Sequence, residues 1–403
     1  MTFSLEDFIA DHVIGRRESF FAADLLAHDA ELREAIEGKS VLVIGGAGTI
    51  GSSFIRALLP FRPARLFVVD LNENGLTELT RDLRSTQGQY MPDDFKTYPI
   101  NFGGPIFARM LRAEGPFDIV AHFAAHKHVR SEKDRYSIEA MLENNVMNSV
   151  ALLDLMTELP PEHFFCVSTD KAANPANVMG ASKKLMEEAV LAYAAELPAV
   201  TARFANVAFS NGSLPAGFLE RIAKGQPLAA PLDVRRYFVA PIESGQLCLL
   251  ACVLGKPADI FFPQLDEPKM LTFATIADAL LRELGYEPDH CSSEDEAKAK
   301  AASRNADDTT WPVFYFTSDT AGEKSFEEFY TDDEEIDLDS FAALGIVHGR
   351  PSNDVAGIRS TLDDLRALFE RTELPKEAIV DVLATLVPTF HHVETGKSLD
   401  QKM

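Results

Sequence analysis

The residues with the clearest chemical potential follow a short apolar run, Phe164–Val167, that stops abruptly at Ser168-Thr169-Asp170-Lys171. Hydroxyls, a carboxylate and an amine at consecutive positions put proton donors and acceptors at one strand end. In open α/β sheets that end faces the ligand crevice. An ordinary surface Asp–Lys turn is the alternative. Downstream, Met179 and Lys183 are spaced to share one face of a helix expected over 180–197. Cations that could meet an anionic ligand are Lys127 and Arg130 around His128, then Arg203 and the Arg235-Arg236 pair.

A second constellation is Gly45, Gly48 and Gly51, spaced three apart directly after the apolar stretch Ser40–Ile44 and opening a helix. The first glycine permits a tight turn, the second lets a pyrophosphate approach, and the third lets helix pack on strand. Thr49 and Ile50 fall in the first helical turn, where free N–H groups and the helix dipole favour phosphate. Asp70 closes the next strand, Arg65–Val69. A carboxylate there accepts hydrogen bonds from ribose hydroxyls and repels a 2′-phosphate. No Arg follows within Leu71–Gly75, so NAD is expected over NADP. After a later strand, Ala124 and Ala125 are small enough for close approach to a cofactor, and Asn144 or Asn145 could brace the site.

These residues need a scaffold that places strand ends side by side. Apolar strands over 40–44, 65–69, 117–122, 164–168 and 200–204 alternate with helical stretches such as 138–157. That alternation predicts an α/β, Rossmann-like doubly wound parallel sheet. Residues 1–38 read as a helical extension and 39–210 as the dinucleotide-binding domain. Residues 211–403 read as a smaller mixed α/β substrate subdomain with an acidic C-terminal region, lending one more strand near 259–263. Ser292–Asp308 reads as a solvated helix or loop, and the final residues from His391 as a frayed tail whose His391-His392 pair lacks partners.

Composition narrows the function classes. In 403 residues, 62 acids against 38 bases give a net charge of −24, which argues against nucleic-acid or anionic-membrane partners. Four cysteines make no disulfide framework, and Cys248 and Cys252 sit among aliphatics that offer no metal ligands. The N-terminus is not a secretory signal, and no apolar run reaches the roughly 20 residues of a membrane span. A soluble, cytoplasmic protein without a structural metal is the expectation.

The strings GGAGTIG, HFAAHKHV, NNV, VSTDKAANPANVMGASK, ARFANVAFSNGS and RRYF run from about residue 40 to 245. Together they resemble the extended short-chain dehydrogenase/reductases, and more closely the bacterial nucleotide-sugar 4,6-dehydratases of polysaccharide biosynthesis. The resemblance implies NAD as cofactor, a nucleotide-sugar substrate (a UDP-sugar, with N-acetylglucosamine favoured) and a homo-oligomer. It also implies a free-standing version of enzymes that in other members carry an N-terminal membrane domain. Met179 stands where the superfamily usually has its catalytic Tyr, and a thioether cannot accept the hydroxyl proton. Some 4,6-dehydratases share that substitution. Deprotonation of the sugar hydroxyl then passes to Thr169, Asp170 or water, while Lys183 holds the nicotinamide ribose and Met179 shapes the pocket.

In this scheme Lys171 takes the C5 proton and Asp170 protonates the departing C6 hydroxyl. That asks for a lowered Lys pKa and a raised Asp pKa in a coupled pair. The resemblance also places Asn206 and Arg236 on the substrate diphosphate, with Ser213 and Lys127 nearby, and Glu243 near the nucleotide ribose or base. Two other readings compete. A nucleotide-sugar epimerase shares the fold but needs no C6 acid, and a non-catalytic NAD sensor would explain the missing Tyr.

Overall fold

The structure is a computed structural model, and it describes residues 3–265, 269–305, 307–318, 324, 326 and 328–393. Its centre is a nine-stranded sheet. In chain order the strands are β1 (Ser40–Ile44), β2 (Arg65–Val69), β3 (Asp94–Tyr98), β4 (Ile119–His122), β5 (His163–Val167), β6 (Ala199–Ala202), β7 (Asp259–Pro263), β8 (Ile336–Asp337) and β9 (Leu344–His348). In space they run β8-β9-β7-β6-β5-β4-β1-β2-β3. β1 to β7 pair in parallel, whereas β9 runs antiparallel to β7 and β8 antiparallel to β9. The strand order reverses between β1 and β4, and that switch point is where an open sheet of this kind leaves a crevice.

The central strands are short and buried on both faces, which explains their Val, Ile, Leu and Phe content. One apolar layer contains Leu42, Phe67, Phe164 and Leu185, and the other contains Val41, Phe54, Ile119, Phe165 and Leu249. The helices that matter to the site are α1 (Thr49–Leu58), α2 (Glu73–Ser85), α3 (Pro105–Glu114), α4 (Arg135–Leu142), α5 (Asn148–Glu158), α6 (Val178–Tyr193), α7 (Pro241–Leu254), α8 (Val355–Phe369) and α9 (Lys376–Leu386). Among the described residues, no helix is long and apolar enough to cross a membrane.

The alternation of strands and helices appears as expected, residues 259–263 form β7, and the N-terminal residues are largely helical. The extension bridges two cores: Phe8, Ile9 and Val13 pack with the smaller subdomain, while Phe21, Leu32 and Ile36 pack under the main sheet. Glu294–Ser303 forms the solvated helix.

One strand went unseen in the sequence, and two expectations need correction. β3 reads Asp-Phe-Lys-Thr-Tyr, only partly buried at the sheet edge, and offers no apolar run to detect. Residues 211–403 are not one subdomain. Only part of them builds the three-stranded sheet of Leu228–Pro231, Thr310–Phe316 and Glu287–His290, while β7, β8 and β9 complete the central sheet and α8 and α9 pack on α6. The chain end does not fray at His391. The His391 N–H donates to the Pro175 carbonyl at 3.0 Å and the Val393 N–H to the Ala176 carbonyl at 3.2 Å. His392 pairs with Glu132. Residues 394–403 of the expected tail lie outside the described residues.

Candidate active site

A cleft of about 480 Å³ opens at the carboxyl ends of β1, β2, β4, β5 and β6. On one side lies the glycine loop. Gly45 has φ +79°, and a Cβ on it would stand 2.4 Å from the Ala124 backbone nitrogen. A Cβ on Gly51 would meet the Gly45 carbonyl oxygen at 2.4 Å, so loop and helix can close only on hydrogen. Gly48 is the N-cap of α1 and gives it no side-chain cap, which leaves the first-turn N–H groups at Thr49 and Ile50 facing the cleft. Asp70 lines the same wall. Its Oδ2 accepts from the Ala47 N–H at 3.0 Å and its Oδ1 from the Asn72 N–H at 2.9 Å, so it also locks the glycine loop to β2.

Ala124 and Ala125 line the cleft as expected, but Asn145 does not. It is buried in a one-turn π-helical stretch, Glu143–Met147, between α4 and α5. Its Oδ1 accepts from the His126 N–H at 2.8 Å, and its Nδ2 donates to the His126 carbonyl at 2.9 Å and to Ser182 Oγ at 3.0 Å. Asn145 therefore fixes the loop after β4 against α6, and its neighbour Asn144 reaches the cleft.

The same cleft is lined by Thr169, Asp170, Lys171, Met179 and Lys183. Asp170 is 5% exposed, and its Oδ1 accepts from Thr169 Oγ1 at 2.9 Å, the Lys171 N–H at 2.9 Å and Lys171 Nζ at 3.0 Å. Three donors converge on that one oxygen. No hydrogen bond from another described residue takes up Oδ2. A Cβ on Gly180 would lie 2.5 Å from the Lys171 carbonyl oxygen, so the first turn of α6 is seated directly on Lys171. Lys183 Nζ donates to the Val167 carbonyl at 3.0 Å, and burial holds this ammonium below the usual lysine range. Beside it, burial and the Lys183 charge push His122 down to about 3, so that imidazole is neutral.

Lys127, Asn206 and Ser213 complete the lining. Thr49 Oγ1 accepts from the Asn211 N–H at 2.9 Å and so ties the 210–213 loop to the start of α1. Three further expected ligand groups lie elsewhere. Arg236 is buried outside the lining, with Nη1 donating to the carbonyls of Arg235 and Lys324. Glu243 is 1% exposed. Its carboxylate takes Arg16 at 2.7 and 2.6 Å, the Phe20 N–H at 2.8 Å and the Ala240 N–H at 2.8 Å, so it clamps the N-terminal extension to α7. Arg203 is wholly buried between Glu187 and Glu334. The Arg130 side chain lies outside the described residues. Sequence reasoning missed Ile100 and Phe102, which follow β3 and enter the cleft with Leu71; with that strand unseen, nothing marked them.

The fold and the cleft define a Rossmann-type α/β protein whose glycine loop and Asp170–Lys171 strand end line one crevice. A family model described as polysaccharide biosynthesis protein matches residues 41–347, and the chain belongs to that family. It is 32% identical over 259 residues to an uncharacterized membrane protein of Methanocaldococcus jannaschii, covering 62% of this chain and 74% of that one. It is 29% identical over 285 residues to the probable polysaccharide biosynthesis protein EpsC of Bacillus subtilis, covering 70% of this chain. The chain spans 46% of EpsC, less than half its length. The UDP-N-acetylglucosamine 4,6-dehydratase (inverting) of Campylobacter jejuni is 24% identical over 245 residues, covering 59% of this chain and 70% of that enzyme. Pen from Bacillus thuringiensis has the same fold, with a TM-score of 0.63 at 20% identity over 79% of this chain and 90% of that one.

Proposed function

We propose that the protein is an NAD-dependent nucleotide-sugar 4,6-dehydratase acting on a UDP-linked N-acetylhexosamine, such as UDP-N-acetylglucosamine. The observation that carries this reading is the Asp170–Lys171 pair, joined at 3.0 Å and lining the same cleft as the glycine loop. An elimination needs both a base for C5 and an acid for the C6 hydroxyl, whereas a C4 epimerase has no use for the second group. The relative in Campylobacter jejuni carries the same activity in its name.

The residues present fit the dinucleotide. The glycine loop packs without side chains against the Ala124 backbone and α1, the first turn of α1 is open to a pyrophosphate, and Asp70 lines the same wall for the ribose. When bound, NAD supplies a reversible two-electron acceptor, removing hydride from sugar C4 and returning it to C6. The chain's residues handle the protons. The C4 hydroxyl proton passes to Asp170 through Thr169 Oγ1, which already donates to Oδ1 at 2.9 Å. Lys171, entering as the free amine, removes the C5 proton now acidified by the 4-ketone. Asp170 then hands its proton to the departing C6 hydroxyl, which leaves as water. Lys171 returns its proton to C5, and both residues end as they began. Met179, 3% exposed, has no part in proton transfer and closes the cavity wall. Asn206, Lys127 and Ser213 are positioned to meet the diphosphate.

The test is incubation of the protein with NAD and a panel of nucleotide sugars in D2O, with the product read by NMR. Asp170→Asn and Lys171→Ala are expected to keep NAD binding while losing the 4-keto-6-deoxy product and deuterium incorporation at C5. Product formation surviving in both variants refutes the assignment, and a C4 epimer in place of the ketone means the epimerase.

A further inference from the structure

We propose that the C-terminal segment from α9 to Val393 is a positioning clamp, acting through Glu132 and His392 on the loop that presents Asp170 and Lys171. This inference rests on the dehydratase reading for its catalytic consequence. Its structural part is independent of that reading.

Residues 355–393 lie beyond the 41–347 stretch that the family model matches. They nonetheless reach the most sensitive part of the site. Between Lys171 and α6 runs a short loop, and its Pro175 and Ala176 carbonyls accept the N–H groups of His391 and Val393 at 3.0 and 3.2 Å. The chain end is thus tied to that loop by two backbone hydrogen bonds. Side chains reinforce the backbone contacts. Glu132 Oε2 accepts from the Val178 N–H at 2.7 Å, at the first residue of α6. Its Oε1 takes Lys376 Nζ at 3.2 Å and pairs with His392 Nε2. The Glu132 side chain is 6% exposed, and those of His392 and Lys376 are 11% and 20% exposed.

One carboxylate therefore joins three pieces: the start of α6, the start of α9 and the chain end. Both neighbours of this junction touch the site. On one side, α6 carries Met179 and Lys183 and sits on the Lys171 carbonyl. On the other, the segment before Glu132 carries Lys127 along the cleft. Phe390, buried in the core shared by α6, α8 and α9, anchors the chain end. A loop between a strand and a helix has few contacts of its own, so its rigidity must come from what is laid on it. Displacing a general acid or base by about 1 Å costs on the order of 10²-fold in rate, which makes such bracing consequential.

Glu132 and His392 touch neither cleft nor reacting atoms, so they are positioning residues. The test compares wild type, His392→Ala and His392→Gln, the last keeping a donor where Nε2 stands. Amide hydrogen exchange of the peptide covering residues 169–178 is expected to be about 10-fold faster in His392→Ala, with strands β1 and β2 unchanged. The kcat for the nucleotide sugar should fall at least about 10-fold with KM and NAD affinity little altered, and His392→Gln should restore both readings. Unchanged exchange, faster exchange at wild-type kcat, or a Gln variant as impaired as Ala overturns the clamp. Lys376→Met, read the same way, serves if His392→Ala does not fold. A wild-type protein that converts no nucleotide sugar removes the dehydratase reading, while the exchange comparison still decides the clamp.

Discussion

Replacing Glu187 should cost more stability than any single change on the surface, and the structure lets the amount be worked out. Glu187 and Arg203 are both fully buried and bonded in bidentate fashion, Nε to Oε1 at 2.9 Å and Nη2 to Oε2 at 2.8 Å. Ser168 Oγ, at the end of β5, donates to the same carboxylate at 2.6 Å. Removing one partner of a buried ion pair costs about 3–5 kcal/mol, because the other charge is left without compensation. Here Arg203 keeps Glu334 at 2.8 Å, and that side chain is 18% exposed, which places the pair at the low end of the range. The stranded Ser168 hydroxyl adds about 1 kcal/mol. Glu187→Ala should therefore lose about 4 kcal/mol in urea unfolding followed by circular dichroism. The double variant Glu187→Leu/Arg203→Met should recover most of it, since apolar replacement of a whole buried pair is often neutral. The pH dependence has a definite sign. Burial alone would raise the Glu187 carboxyl, but the Arg203 charge and hydrogen bonds hold it below its ordinary value of 4.5. Its contribution is present above that value and fades as pH falls through the lower folded one, so wild type and Glu187→Gln should converge in stability only in acid. A loss under about 1 kcal/mol for Glu187→Ala, or a double variant less stable than the single, refutes the reasoning.

Three other changes probe the site and its supports. Gly51→Ala drives a Cβ to 2.4 Å from the Gly45 carbonyl, and backbone cannot yield as a side chain can. NAD affinity by calorimetry should fall at least about 10-fold, since the phosphate cradle must open. Asp70→Ala removes the acceptor at the ribose and one anchor of the glycine loop; NAD binding should weaken by roughly 10-fold, the worth of one charged hydrogen bond, while NADP weakens less. Arg16→Ala leaves the buried Glu243 carboxylate without its cation and should cost about 3 kcal/mol in urea unfolding, with KM for the nucleotide sugar unchanged. A shifted KM would return Glu243 to the substrate.

How far the sequence carried depended on whether a residue's surroundings were local. The glycine loop was legible because strand, loop and helix are contiguous, so Gly45, Gly48 and Gly51 dictate their own geometry. The strand-end run at Asp170–Lys171 was legible for the same reason: β5 is a buried apolar strand, and polarity can return only where it ends. β3 was not, because an edge strand needs one apolar face and Asp94, Lys96 and Tyr98 advertise none; Ile100 and Phe102 were lost with it. The misplaced charges have a different cause. Arg203 is singled out by its charge and Arg236 and Glu243 by the family resemblance, yet what a charged side chain does depends on partners far along the chain. Arg203 meets Glu334, 131 residues away, and Glu243 meets Arg16, 227 residues away. No window of sequence holds such a pair.

Those long-range pairs change how the cleft can hold an anion. With a net charge of −24, the chain repels phosphate at a distance, and a cluster of guanidinium groups would be the obvious local remedy. Among the described cleft-lining residues there is no arginine, and the cations are Lys127, Lys171 and Lys183. The proposed mechanism commits Lys171 to the C5 proton as a free amine, and burial weakens Lys183 as a cation. What remains is Lys127 and the open first turn of α1, whose N–H groups need no mobile side chain to meet a phosphate. Such donors act at short range and are fixed before the ligand arrives. Under the proposed function, a protein with this charge would bind its anions largely by preformed geometry in the cleft. Several of its acids have the reverse task, with Glu187 and Glu334 neutralising an arginine that never meets the ligand.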